Sequence, residues 1–216
     1  MSRLIWETKH IKGKEKYKFD PTLKYLIYFR GAQSPTHKGH YETVKRFLNI
    51  GENVKVLINQ TYNIRHGIPY KIKRKIWKTY IHELLPEDRI ILKTYNKFND
   101  IFDSSIKGIL QDIDIILYIR GIEDENYRSV KQEINRKCKR MKKYLDKFNI
   151  RVDYYYLKRY SIDTLSATEF TRQLIRTRYV SDEIKYNKCK YFLPSKLRKT
   201  IALRIINKLQ GLNLVV

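Results

Sequence analysis

The segment Tyr25-Leu26-Ile27-Tyr28-Phe29-Arg30-Gly31-Ala32-Gln33-Ser34-Pro35-Thr36-His37-Lys38-Gly39-His40 decides how the rest of the chain is read. Its first five residues are aromatic or aliphatic, too few for a helix, and run into Gly31 and Pro35, the pattern of a buried strand. Beyond Gly39 the apolar residues Val44, Phe47 and Leu48 recur at spacings of three and four, the period of an amphipathic helix. His37 and His40 therefore stand at a strand-to-helix turn, three residues apart and on one side of a first helical turn. Backbone N–H groups without intrahelical partners and the positive end of the helix dipole meet there, which suits bound phosphate. Gly39, lacking a Cβ, lets an anion approach the main chain.

The same alternation continues outward. Gly51-Glu52-Asn53 stops the first helix, and residues 54–59 read as a second strand. A loop over 60–67 carries Arg65 and His66, and Pro69 opens a helix whose Ile72, Ile76, Trp77, Tyr80 and Leu84 form one apolar stripe. Pro86-Glu87-Asp88 breaks it. Residues 89–95 read as a third strand, 99–110 as a helix, and 113–119 as a fourth strand ending in an Arg120-Gly121 turn. A highly charged helical pattern covers 125–148, a Tyr-rich fifth strand 150–157, and two last helices 166–176 and 194–209. Strands alternating with helices specify an α/β fold, a doubly wound, mostly parallel five-stranded sheet with helices on both faces. In such sheets ligands bind beyond the carboxyl ends of the strands, where strand order reverses. The His37 turn, the loop after Asn59 and the Arg120-Gly121 turn all fall at such ends.

Length and composition bound the answer. The 216 residues suffice for one domain with a full core, expected over 23–216. Residues 1–22 read as a peripheral arm closed by Asp20-Pro21, with Trp6 and Phe19 placed to pin it to the body or to meet a partner. With 46 Lys and Arg against 22 Asp and Glu, the formal net charge is +24. Two sources compete for that charge, a polyanionic partner such as nucleic acid and the lysine-rich codon usage of an A/T-rich genome. Cys138 and Cys189 show no CxxC or Cys/His spacing, so neither a zinc site nor a disulfide framework is expected, and a reducing, cytoplasmic compartment fits. The first twenty residues lack the apolar core of a signal peptide. Nowhere do about 18 uncharged apolar residues run together, so no membrane helix is expected.

On these residues the chain resembles the HxGH nucleotidylyltransferases, in which an acceptor phosphate attacks the α-phosphate of a nucleotide and pyrophosphate leaves. His37-Lys38-Gly39-His40 has the form of that motif, and Arg30-Gly31 with Pro35 two residues before His37 looks most like the archaeal-type nicotinamide-mononucleotide adenylyltransferases. Tyr118-Ile119-Arg120-Gly121-Ile122 is similar to the R-G turn of phosphopantetheine adenylyltransferases and their relatives, with Glu123 where a further Arg commonly follows. The run from Ser161 to Arg172 resembles the family's I-S-S/A/G-T-x-I-R segment, with Thr171 in the place of the family's Arg and Arg172 one step on. There Ser166 and Thr168 hydroxyls can cap a helix, and its N–H groups and Arg172 can hold triphosphate oxygens. Lys190-Tyr191-Phe192-Leu193-Pro194-Ser195 resembles a Y-L-x-P segment of eukaryotic nicotinamide-mononucleotide adenylyltransferases, so the resemblance runs over 25–209.

The resemblance implies a Rossmann-like domain that joins the NMP moiety of an NTP, ATP being favoured, to a phosphorylated acceptor, nicotinamide mononucleotide being favoured. Phosphopantetheine with ATP, or a phosphorylated alcohol with CTP, are the other acceptor pairs. It implies catalytic roles for His37 and His40, nucleotide contacts for Gly31, Gly39, Ser166, Thr168 and Arg172, and phosphate or acceptor contacts for Arg30, Arg65 and Arg120. It also implies Mg²⁺ held mainly by phosphates, and a homo-oligomer. Plainer readings stand beside these: a surface or metal-binding histidine pair with no third ligand nearby, Arg120 paired with Asp124 or Glu125, and an ordinary N-cap at Ser166. Trp77, Tyr80 and the Tyr154–Tyr156 run read as packing and strand, and residues 137–143 as a solvated face or nucleic-acid patch. The competing class is a basic nucleic-acid-binding or virion-associated protein that keeps the fold with little activity, its place then a virion or host cytoplasm.

Overall fold

Five strands form one sheet in the order β3-β2-β1-β4-β5, and every neighbouring pair is parallel. They are β1 (Tyr25–Gly31), β2 (Val54–Gln60), β3 (Ile90–Thr94), β4 (Ile115–Ile122) and β5 (Arg151–Lys158). The helices are α1 (Lys38–Leu48), α2 (Tyr70–Leu84), α3 (Ser104–Leu110), α4 (Ala167–Arg176), α5 (Asp182–Cys189) and α6 (Lys199–Gln210). This computed structural model describes residues 18–31, 33–94, 104–122, 132–133, 135–136, 139–140, 145, 148–158 and 166–216. Among them no helix is long and apolar enough to cross a membrane.

The strands read as continuous apolar runs because both faces of the sheet are covered. On one face Tyr25, Ile27, Val56, Ile58 and Leu117 pack with Val44 and Phe47 of α1, Trp77 and Tyr80 of α2, Phe170 of α4 and Ile206 of α6. On the other, Leu26, Tyr28, Leu57, Ile116 and Val152 meet Ile106 and Leu110 of α3 and Leu145. Phe19 sets its ring edge-on to Tyr25 at 5.0 Å, so the described end of the expected arm is pinned to the body. Trp6 lies outside the described residues, as do Tyr95, residues 99–103, Cys138 and much of the charged helical pattern over 125–148. Within that pattern the residues described up to Leu145 are helical.

Chain order and sheet order create a switch point. From β1 the chain walks through α1 to β2 and through α2 to β3 at one edge, then crosses by way of α3, on the opposite face, to β4 on the far side of β1. Connections therefore diverge between β1 and β4, the position where doubly wound sheets open a crevice. The ladders show the opening. β1 pairs with β4 only as far as Phe29 opposite Ile119, whereas β1 continues with β2 to Gly31 opposite Gln60, and β4 with β5 to Ile122 opposite Lys158. Arg30 and Arg120 are the first residues beyond the last shared rung.

Three expectations are corrected. Arg120 and Gly121 lie inside β4 rather than in a turn after it, because β5 keeps pairing with that strand after β1 has left. The last helical region holds three helices instead of two, with α5 and a short 3-10 turn over Lys190–Phe192 inserted before α6. α6 begins at Lys199 rather than at Pro194.

Candidate active site

Residues 33–37, between β1 and α1, are buried and pinned by polar ends of core side chains. Gln33 adopts φ 46°, and its side-chain Oε1 accepts from Trp77 Nε1 at 2.7 Å. Thr36 donates through Oγ1 to the Gln33 carbonyl at 3.1 Å, and the Tyr80 hydroxyl donates to the Thr36 carbonyl at 3.4 Å. Ser34 and Thr36 are almost wholly shielded from solvent. Trp77 and Tyr80, which periodicity assigned to packing, thus also fix the path of the chain into His37.

At His37 the backbone is extended, and its ring caps α1: His37 Nδ1 accepts from the Gly39 N–H at 3.1 Å. His40 answers, its Nδ1 accepting from the His37 N–H at 3.3 Å. This is a capping box in which both partners are histidines, with ring centroids 4.0 Å apart. Because each Nδ1 accepts a backbone proton, the neutral tautomer of each ring carries its own proton on Nε2. Gly39 leaves room for the His37 ring, since a Cβ there would stand 3.0 Å from His37 Cε1 and 3.2 Å from Nδ1 and would press the ring aside by a few tenths of an ångström. The first turn of α1 carries no acidic residue, while Lys45 and Arg46 occupy its last turn, so nothing in the helix's own first turn offsets its positive end.

The loop after β2 is held from three sides. Lys73, fully buried on α2, donates from Nζ to the Thr61 carbonyl at 3.0 Å and to the Asn63 carbonyl at 2.9 Å. Ser34 Oγ donates to the Arg65 carbonyl at 2.6 Å, tying this loop to the segment that leads into His37. On the third side the Val215 N–H donates to the His66 carbonyl at 3.4 Å, and His66 Nδ1 lies 3.0 Å from the Val215 carbonyl. Arg178 donates to the Leu212 carbonyl and secures that segment in turn. Behind the loop, Asn59 donates to the Tyr28 hydroxyl at 2.7 Å, and burial raises the Tyr28 phenol above its ordinary range and keeps it neutral.

His37, Gly39, His40, Arg30, Gly31 and Arg65 thus gather at the carboxyl edge of the sheet. Arg120 reaches the same edge by its place on β4, its side chain lying outside the described residues. α4 follows β5 through residues 159–165, which are outside the described set and include Ser161-Ile162-Asp163-Thr164-Leu165. Ser166 caps α4, its Oγ accepting from the Glu169 N–H at 3.0 Å, and Thr168 is half-buried in the first turn. Thr171 is fully buried and donates to the Ala167 carbonyl, whereas Arg172 points outward and pairs with Glu169 at 3.4 Å. Sequence reasoning missed Lys73, Gln33 and Gln60. The amide of Gln60, at the end of β2, is buried with neither Nε2 nor Oε1 paired, and Gln33 Nε2 is likewise buried and unpaired. Among the described residues no three His, Cys, Asp or Glu side chains cluster in a way that could hold a metal. A separate groove of about 300 Å³ between α2 and α6, lined by Lys78, His82, Glu83, Arg204 and Ile205, contains none of the predicted residues.

No protein-family model and no curated protein matches this sequence. Solved structures do match. A bifunctional NMN adenylyltransferase/ADP-ribose pyrophosphatase from Francisella tularensis, complexed with AMP and a manganese ion, superposes with a TM-score of 0.52 at 15% identity, over 88% of this chain and 52% of that one. A second structure of that enzyme gives a TM-score of 0.51 at 15% identity, over 88% and 53%. Nicotinic acid mononucleotide adenylyltransferase from Plasmodium falciparum, complexed with NaAD, gives 0.48 at 13% identity, over 85% and 98%. The chain has a Rossmann-like, doubly wound α/β fold similar to that of the Francisella structures. It spans about half the length of the Francisella enzyme.

Proposed function

We propose that this protein is a nucleotidylyltransferase that transfers an NMP moiety, most favourably AMP from ATP, to a phosphorylated acceptor such as nicotinamide mononucleotide. The observation that carries this reading is the reciprocal histidine cap at the start of α1, beside the point where β1 and β4 part. Attack by one phosphate on another is opposed by repulsion between anions, so the protein's task is to align the reactants and to stabilise charge as it develops. An acceptor phosphate oxygen forms a bond to the α-phosphorus while the bond from the α-phosphorus to the bridging oxygen breaks, and pyrophosphate leaves with that oxygen. His40 Nε2–H donates to the α-phosphate, and His37 Nε2–H to the phosphates on the leaving side. Backbone N–H groups of the first turn of α1 and the cations Arg30, Arg65 and Arg120 supply the remaining positive field. The nucleophile is already an anion, so no strong general base is needed. Mg²⁺ enters with the nucleotide, on its phosphates, as part of the substrate.

The α4 segment sets the limits of the analogy. Its capped N-terminus and Thr168 suit triphosphate oxygens, and Arg172 would have to exchange Glu169 for phosphate to join them. The test is a pyrophosphate-release assay pairing each of four NTPs with nicotinamide mononucleotide, phosphopantetheine and phosphorylated alcohols. Release from ATP that depends on nicotinamide mononucleotide is the expected result. Release with another pair would move the substrate assignment, and none with any pair would overturn the enzymatic reading.

A further inference from the structure

Lys73 occupies a place where an apolar residue would cost less. It belongs to the stripe that α2 turns to the core with Ile76, Trp77 and Tyr80, and it is 0% exposed. Burial disfavours its charge and pushes its pKa down to about 8. A cation rarely sits fully buried without specific partners. The partners here include main-chain oxygens of Thr61 and Asn63, immediately after β2 has ended. Ser34 Oγ takes the next alternate carbonyl, that of Arg65. Main-chain atoms of the loop are thereby anchored from beneath, while the side chains of Tyr62 and Ile64 stand 39% and 70% exposed and that of Arg65 faces solvent.

We propose that Lys73 is the positioning residue of this loop: its ammonium fixes the main chain at Thr61 and Asn63 so that Arg65 is presented to the acceptor beside the His37–His40 pair. The catalytic half of this proposal rests on the transfer reading above; the structural half does not. Lys73→Met keeps the length and bulk of the side chain and removes the donors. Amide exchange over residues 61–66 should then rise about tenfold, the loss expected for hydrogen bonds from a charged donor, while exchange in α1 stays as in the wild type. The KM for the phosphorylated acceptor should rise about tenfold with kcat within about threefold, the pattern of lost positioning before the chemical step.

Unchanged exchange over 61–66 in a folded Lys73→Met variant overturns the proposal, and so does faster exchange with an unchanged KM. If the variant does not fold, side-chain nitrogen NMR of the wild type decides. A Lys73 Nζ that titrates apart from the solvent-exposed lysines, with contacts to residues 61–63, supports the proposal; one that titrates with them overturns it. Should no acceptor support turnover, the exchange and NMR results still judge Lys73, so the two readings fail separately.

Discussion

At the scale of single residues, the two histidines have a structural duty that can be separated from the chemical one proposed for them. Each Nδ1 accepts a backbone N–H at the start of α1, and in the proposed transfer each Nε2–H donates to a phosphate. Gln is an ordinary partner at the third position of a capping box, and Asn an ordinary N-cap, so His40→Gln and His37→Asn keep the backbone bonds while removing the ring donors. Both variants should unfold within about 0.5 kcal/mol of the wild type. His40→Gln should lose about a hundredfold in turnover, the effect of deleting one transition-state donor. Chemical denaturation and pyrophosphate release measure the two halves, and a His40→Gln variant of full activity would remove His40 from the mechanism. The position of this pair was legible in the sequence from strand, turn and helix period alone. The reciprocal cap was not, since His is not among the usual capping residues and only coordinates show which ring nitrogen is engaged.

At the scale of elements, the stripe on α2 already contained Lys73: positions 73, 76, 77 and 80 share one face, and apolar periodicity passed over the lysine because it looks for apolar residues. α5 was illegible for a related reason, as Asp182–Cys189 buries only Cys189 and has little apolar face to detect. β4 ran past its expected end because pairing to β5, a tertiary fact, outlasts pairing to β1. The segment after α6 docks on the loop after β2 through contacts that no local pattern encodes. Gly67 makes them possible: it sits at φ 72°, and a Cβ there would lie 2.0 Å from the Asn213 carbonyl oxygen. Gly67→Ala should therefore detach residues 212–216 and destabilise the fold by about 1–2 kcal/mol from the left-handed backbone alone. Limited proteolysis and thermal unfolding test this; a variant with the wild type's melting temperature and cleavage pattern would refute it.

At the scale of the whole molecule, the alternation of strands and helices was enough to specify a doubly wound sheet, but not its strand order, which depends on which face each connection crosses. The net charge of +24 is legible as a number and silent as to cause. Stability should carry a signature of Lys73. Its folded pKa of about 8 lies below the ordinary 10.5, so between those values the unfolded chain binds more protons and stability rises with pH. The penalty for the buried ammonium is present in full below pH 8 and fades as pH climbs toward 10.5. Relative to Lys73→Met, the wild type should gain up to about 3 kcal/mol across that window in urea unfolding, and parallel curves would contradict the burial argument.

The account as a whole turns on where a nucleotide binds, and a crystal structure with an ATP analogue whose α–β bridge cannot be cleaved measures that directly. The predicted result is a triphosphate at the start of α1, between Arg30 and Arg120, with His37 Nε2 and His40 Nε2 each about 3 Å from a phosphate oxygen. An analogue bound elsewhere on the molecule, with the histidine pair touching no phosphate, would contradict it.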